Sequence, residues 1–286
     1  MDTATASGLD TLTFLAVLAA ALMHAGWNAI VKVGLDRFSS MLLIVLVSTG
    51  LALVLIPAFP PPAAAAWPWV VGSGLLHTGY KLFLVRAYTH GDLGQVYPIA
   101  RGTAPLIVTV VGVFVLGETI EPVSAGGIAL VGLGVVAMSL RGGTVEADRA
   151  AILWALGTAG FTASYTLADA VGGRLAGTAS GFVMWMFVVD GIAMASFAAL
   201  TRGRTAFRAL RPEWRSGVVA GTLSIGSYWV AVWAFTRAPV GLVAALRETS
   251  VLWAMLIGVL LLGERGAKWR WLAAAMIAIG MVLLRA

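Results

Sequence analysis

Arg101-Gly-Thr-Ala-Pro-Leu-Ile-Val-Thr-Val-Val-Gly-Val-Phe-Val-Leu-Gly-Glu118 reads without a gap against Arg247-Glu-Thr-Ser-Val-Leu-Trp-Ala-Met-Leu-Ile-Gly-Val-Leu-Leu-Leu-Gly-Glu264, with 8 identities in 18 positions. Just upstream, residues 74–94 read against 221–241, again ungapped, with 7 identities in 21. The match extends to the start of each half, where Ala25-Gly-Trp-Asn-Ala29 resembles Ala159-Gly-Phe-Thr-Ala163. Each copy keeps an arginine inside an apolar run. A guanidinium in lipid is costly enough to mark a functional position by default. Two of them at equivalent places point to a membrane transporter assembled from two copies of one unit.

Composition narrows the class. Hydrophobic residues make up 60% of the 286 positions and charged ones only 11%, with a mean hydropathy of +0.93. A soluble domain carries about 25% charged residues, so an ordinary water-facing surface cannot be built from this chain. There are no cysteines, which excludes disulfides and thiolate metal sites. The net charge of +6 sits in the connections between apolar segments, where it sets orientation, and no nucleic-acid partner is expected. Residues 1–10 hold two aspartates and no lysine or arginine, so no cleavable signal is expected.

A spanning helix needs about 20 apolar residues. Ten stretches qualify: about 12–34, 38–59, 67–89, 93–117, 120–140, 150–171, 178–200, 214–236, 240–262 and 268–285. The polar stretch from Arg141 to Arg149 divides a first unit, 12–140, from a second, 149–285. An odd number of helices per unit makes the second copy enter the membrane from the opposite side. The expectation is an all-α polytopic membrane protein, ten transmembrane helices in a five-plus-five inverted repeat with its pseudo-two-fold axis in the membrane plane. Eleven lysines and arginines, Arg202, Arg204 and Arg208 among them, fall on one side, against Arg174, Arg237 and Arg285 on the other. The positive-inside rule places the richer side in the cytoplasm and both termini outside.

Ten helices, the paired five-helix units and a Leu-Gly-Glu after the fourth helix of each unit (Leu116–Glu118 and Leu262–Glu264) resemble the EamA-type drug/metabolite transporter superfamily. The resemblance covers nearly the whole chain. Ten-helix bacterial members of that superfamily include exporters of amino acids, the YddG-type exporters of aromatic amino acids among them. The resemblance implies an inner-membrane protein with a central cavity walled by the first, third, fourth, sixth, eighth and ninth helices. It also implies export, and it places both termini in the cytoplasm, opposite to the charge count.

Candidate residues follow from polar groups at helical spacing. His77 and Lys81 stand at i, i+4 beside Tyr80 on the third helix, and Tyr228 is the repeat partner of Lys81. Their face meets either the cavity or a partner helix. Arg86, nearer the helix end, snorkels to the interface. Tyr97 and Arg101 lie four apart on the fourth helix, flanked by Pro98 and Pro105. Each proline removes a helix hydrogen bond, so a hinge is expected there, in the first copy. The second copy keeps Arg247 without prolines and should run unbroken. Trp27 with Asn28, Phe161 and Tyr165, together with Lys32 and Trp229, complete the candidate wall. Gly217 and Gly221 permit close helix approach, for packing or as a pivot.

Five basic groups, Lys32, Lys81, Arg86, Arg101 and Arg247, outnumber the acids Asp169, Asp190 and Glu248 in the apolar runs. A buried charge needs a partner, so an anionic group is expected to visit. Glu248 and Asp190 either carry a coupling proton or pair permanently with a base. The resulting expectation is a secondary active transporter exporting small carboxylate-bearing metabolites, amino acids first among them, by alternating access. The alternatives are other organic anions such as phosphonates, drug-like compounds, or a non-transporting scaffold. No catalytic motif, phosphate loop or metal spacing is present, so neither enzymatic activity nor a cofactor is expected. Duplication within one chain makes a functional monomer the expectation, with the lipid bilayer and a small-molecule substrate as its partners.

Overall fold

The computed structural model describes residues 9–33, 36–90, 93–138, 149–261 and 268–285. Every regular element among them is helical. In chain order these are α1 (Thr11–Val33), α2 (Arg37–Leu55), α3 (Trp67–His90), α4 (Leu93–Leu116), α5 (Pro122–Ala137) and α6 (Arg149–Leu175). There follow α7 (Ala179–Arg202), the short α8 (Arg204–Arg208), α9 (Trp214–Phe235), α10 (Val240–Arg247), α11 (Ser250–Leu261) and α12 (Lys268–Leu283). Seven segments among the described residues are long and apolar enough to cross a membrane. Outside that set, α3 has the length but carries His77, Thr78, Lys81 and Arg86, while α5 and α12 are apolar helices of 16 residues each. Glu264 and the side chains of Lys32, Tyr97 and Pro98 lie outside the described part.

Local chemistry sets the helix ends. Asp10 begins α1 by accepting from the N–H of Thr13 at 3.0 Å and from its hydroxyl at 2.6 Å. Those two bonds hold its carboxyl below the usual carboxylate range. Asp36 caps α2 through Phe38 and Ser39. Gly117, at φ 69°, ends α4 in the left-handed region that a side chain disfavours, and the Glu118 N–H then reaches back to the Gly112 carbonyl at 3.0 Å.

The expectation that the second copy runs unbroken is corrected. In the first copy α4 runs as one helix through Pro98 and Pro105, and it is the second copy that breaks, at Glu248–Thr249. The N–H groups of Glu248 and Thr249 turn to the carbonyls of Ala245 and Leu246, at 3.0 and 3.1 Å, and the Thr249 hydroxyl also donates to Leu246. This tighter i→i−3 pattern departs from the α-helical ladder. Glu248 is meanwhile engaged by Arg101 of α4. The polar pair, not proline, accompanies the interruption.

The main helix contacts join the two halves, and they come in matched pairs. As α1 packs on α9, α6 packs on α3; as α2 packs on α9, α7 packs on α3; α4 meets α6 as α1 meets α11; and α5 lies along α12. The glycines paired by the sequence alignment make the same contact. A Cβ on Gly74 would stand 2.6 Å from Cγ1 of Val189 on α7, and one on Gly221 would stand 2.5 Å from Cγ1 of Val47 on α2. Gly217 likewise admits Leu43, so the small residues of α9 serve close packing onto α2.

The α5–α12 contact offers a test on adjacent residues. A Cβ on Gly127 would lie 2.9 Å from the Gly280 carbonyl, whereas one on Gly126 would meet nothing within 4 Å. Gly127→Ala is expected to lower stability by about 1–3 kcal/mol through overpacking. Gly126→Ala is expected to raise it by up to about 1 kcal/mol, the helix preference of alanine over glycine. Thermal unfolding in one detergent reads both.

Candidate functional site

The polar face of α3 turns inward and meets acids on two other helices. Nζ of Lys81 lies 2.7 Å from Oδ2 of Asp190 on α7, and the Thr78 hydroxyl donates to Oδ1 of the same carboxylate at 2.8 Å. One turn earlier, Nε2 of His77 lies 3.2 Å from Oδ2 of Asp169 on α6. The hydroxyls of Ser73 and Tyr228 also donate to Asp169. Both aspartates are fully buried. Ion pairs in such surroundings are often matched or bettered in stability by packed apolar residues, so stability alone does not account for them.

Arg101 and Glu248 form a further pair, with Nε 2.9 Å from Oε2 and both side chains buried. The neighbour of Glu248 behaves differently. Arg247 is 7% exposed and has no hydrogen-bond acceptor among the described residues; its guanidinium carbon lies 5.0 Å from the centre of the Tyr228 ring. The two arginines of the internal repeat have therefore diverged: one is neutralised and the other is kept.

Between these groups is a cavity with about 580 Å³ not filled by atoms, part of it open to solvent. Its wall brings together Trp27, His77, Tyr80, Lys81, Tyr165, Asp190, Tyr228 and Arg247, all candidates from the sequence. The ring of His77 stacks on Tyr165 at 3.9 Å and meets Tyr228 edge-on at 4.7 Å. Other candidates stand elsewhere. Asn28 donates back to the His24 carbonyl at 2.7 Å, Phe161 packs on Gly79 and Phe83, and Trp229 donates to Ser180 at 2.9 Å. Arg101 and Glu248 are held by each other and do not line this cavity, and Pro105 is buried within α4. Arg86 is exposed, as its place near the helix end suggested.

The wall also differs in its helices. No described residue of α4 lines the cavity, while α2 and α7 both do. Met41, Ile44, Val45 and Ser48 of α2 form an unbroken i, i+3, i+4, i+7 stripe, but only one of the four is polar, so nothing marked it as a site. Phe187 and Ser227 were equally silent. His24 lines the cavity too; its Nε2 is buried with no hydrogen-bond partner among the described residues, and its ring meets Trp27 edge-on at 4.9 Å.

The Leu-Gly-Glu signature has a structural role at one end of the bundle. One Glu118 oxygen accepts from Arg174 at 2.7 Å and the other from the Val240 N–H at 2.9 Å, the first of α10. Arg174 also donates to the carbonyls of Phe235 and Ala238. A carboxylate at a helix N-terminus satisfies an orphan donor and suits the helix dipole. The end of α4 is thus stapled to α6 and α10.

Comparison with known proteins adds a family and a fold. The sequence model of the EamA-like transporter family matches residues 11–140 and 149–286. A solved crystal structure, described only as that of a protein, superposes with a TM-score of 0.72 at 17% identity, covering 96% of this chain and 95% of that one. At that identity the likeness concerns the fold alone. No curated protein matches the sequence.

Proposed function

This chain belongs to the EamA-like transporter family, and we propose that it is a secondary transporter exporting a small carboxylate-bearing metabolite, an amino acid first among the candidates, by alternating access. The observation that carries the substrate class is Arg247, a buried guanidinium on the cavity wall without a hydrogen-bond acceptor among the described residues. A buried charge left without a partner costs several kcal/mol, and a visiting carboxylate supplies two acceptor oxygens to the fork of donors. One such cation suits one negative charge, which favours a carboxylate over a phosphonate dianion. Asp190, the acid on the cavity wall, is engaged by Lys81, which disfavours organic cations.

The rings of Trp27, Tyr80, Tyr165 and Tyr228 supply the apolar walls that small-molecule sites use to bury a ligand's body. The matched contacts between halves support a ten-span inverted repeat with its axis in the membrane plane, and the cavity lies where the halves meet. With the arginine-rich side in the cytoplasm, both termini are outside and the protein resides in a bacterial-type inner membrane. A single chain completes the cavity, so a monomer suffices.

Uptake of radiolabelled amino acids into vesicles carrying the purified protein tests the reading. Exchange above that of empty vesicles is expected for at least one zwitterionic amino acid, with organic cations not carried. Folded protein that exchanges none of them would remove the proposal.

A further inference from the structure

The connection between α7 and α9 carries a charge pattern that transport through the cavity does not use. Residues 202–215 hold five arginines against one acid, Glu213. Arg204, Arg208, Arg211 and Arg215 recur at i, i+4, i+7 and i+11, the spacing of one helical face. Gly203, at φ 62°, ends α7; α8 and a 3₁₀ turn at Arg211–Glu213 then lead into α9. All four arginines are exposed, whereas Ala206 and Leu210 are buried and Phe207 is half-buried against the apolar core. The segment is an amphipathic strap, with its apolar side packed on the bundle and its guanidinium side outward.

None of these four arginines has an acid partner among the described residues. Arg202, the fifth, is already committed: its Nη1 lies 3.5 Å from Oδ1 of Asp36, and its guanidinium carbon stands 4.0 Å from the centre of the Phe38 ring. Glu213 accepts from the Ser216 hydroxyl at 2.8 Å rather than from an arginine. Four cations within twelve residues are thus left without a counter-charge. Their neighbours set the level of the strap. Leu200 at the end of α7 and Trp214, Val218 and Val219 at the start of α9 are all exposed. In a membrane-spanning chain such apolar side chains face acyl chains, and tryptophan marks the interface with the headgroups.

We propose that this strap is a binding site for the headgroups of anionic phospholipids. A lipid phosphate accepts paired hydrogen bonds from a guanidinium, and a cluster of basic residues beside a spanning helix attracts anionic lipid. Two features select the occupant. The adjoining apolar side chains give acyl chains a surface that a soluble phosphate would leave unused. A zwitterionic headgroup brings its own cation, so four arginines without a counter-charge favour a lipid of net negative charge. The strap joins α7, which carries Phe187 and Asp190, to α9, which carries Ser224, Ser227 and Tyr228, and Arg202 reaches Asp36 at the start of α2. A bound headgroup therefore ties together the ends of three helices that wall the cavity. The site is independent of which substrate is carried.

Detergent-solubilised protein is titrated with phosphatidylglycerol, with phosphatidylcholine of the same acyl chains, and with inorganic phosphate. Retained lipid is counted by mass spectrometry of the intact protein, and the unfolding temperature is followed in parallel. The wild type is expected to retain phosphatidylglycerol over phosphatidylcholine and to be stabilised by phosphatidylglycerol alone. That stabilisation is expected to shrink as salt rises from about 0.05 M to about 0.5 M. Arg208→Gln/Arg211→Gln is expected to weaken phosphatidylglycerol binding about twenty-five-fold, or about fivefold per arginine, and Arg204→Gln/Arg215→Gln by a similar factor. Arg237→Gln/Arg285→Gln removes the same charge from exposed positions at the opposite end of the bundle and is expected to leave binding unchanged. Equal retention of the two lipids, wild-type binding by both strap variants, or an equal loss in the opposite-end variant overturns the proposal. Stabilisation by inorganic phosphate at the same concentration also overturns it, since a soluble anion is then the occupant. The salt response of the wild type covers the case of a variant that fails to fold: stabilisation by phosphatidylglycerol that salt does not weaken overturns the proposal as well.

Discussion

Arg247→Gln is expected to cut amino-acid transport about a hundredfold, the equivalent of about 2.7 kcal/mol of lost binding to the carboxylate, without lowering stability, since a buried charge is removed. The reason is that Arg247 has no protein acceptor to lose among the described residues. Removing its charge breaks no hydrogen bond among the described residues, although it gives up the contact with the Tyr228 ring. Arg247→Lys keeps the charge but loses the planar two-donor fork and the ring stacking, so an intermediate loss of about tenfold is expected. Initial rates in vesicles and unfolding temperatures in detergent check both variants. A large fall in unfolding temperature with transport retained in the folded fraction would assign Arg247 a structural role instead.

The repeat partner should behave in the opposite way. Arg101→Gln leaves Glu248 buried without its counter-charge, and breaking such a pair from one side costs about 3–5 kcal/mol. Glu248→Gln alone takes the carboxylate from Arg101 and is expected to cost a similar amount. The double variant removes both charges and should recover much of the loss, since the two residues share one interaction. Thermal unfolding of the four proteins closes the cycle. If the single changes simply add in the double variant, the pair does not hold α4 to the break between α10 and α11.

Much of the candidate site was legible because intramembrane polar residues are rare. His77, Lys81, Tyr228 and Arg247 stood out for that reason, and helical spacing was enough to put His77 and Lys81 on one face. What periodicity could not supply was the partner of each charge. Asp169 and Asp190 were visible as acids, but which base each meets depends on how α6 and α7 lie against α3. The contribution of α2 was hidden because an apolar stripe that lines a cavity looks the same as one that packs on a neighbour. The break in the second copy was missed for a related reason. Proline is a strong local signal, but α4 runs through both of its prolines, whereas the break at Glu248–Thr249 accompanies a contact made 147 residues away in sequence.

The chain's composition, its apolar spans and its internal repeat settle a helical membrane protein built from two similar units, because the cost of burying backbone and charge in lipid leaves a strong trace in sequence. They also select Arg101 and Arg247 as the positions to examine. Only the tertiary structure decides that these two arginines have parted: Glu248 accepts from Arg101 across a helix interface, and Arg247 lines the cavity wall. That outcome depends on which side chains meet between helices, a through-space fact that no pattern along one helix contains.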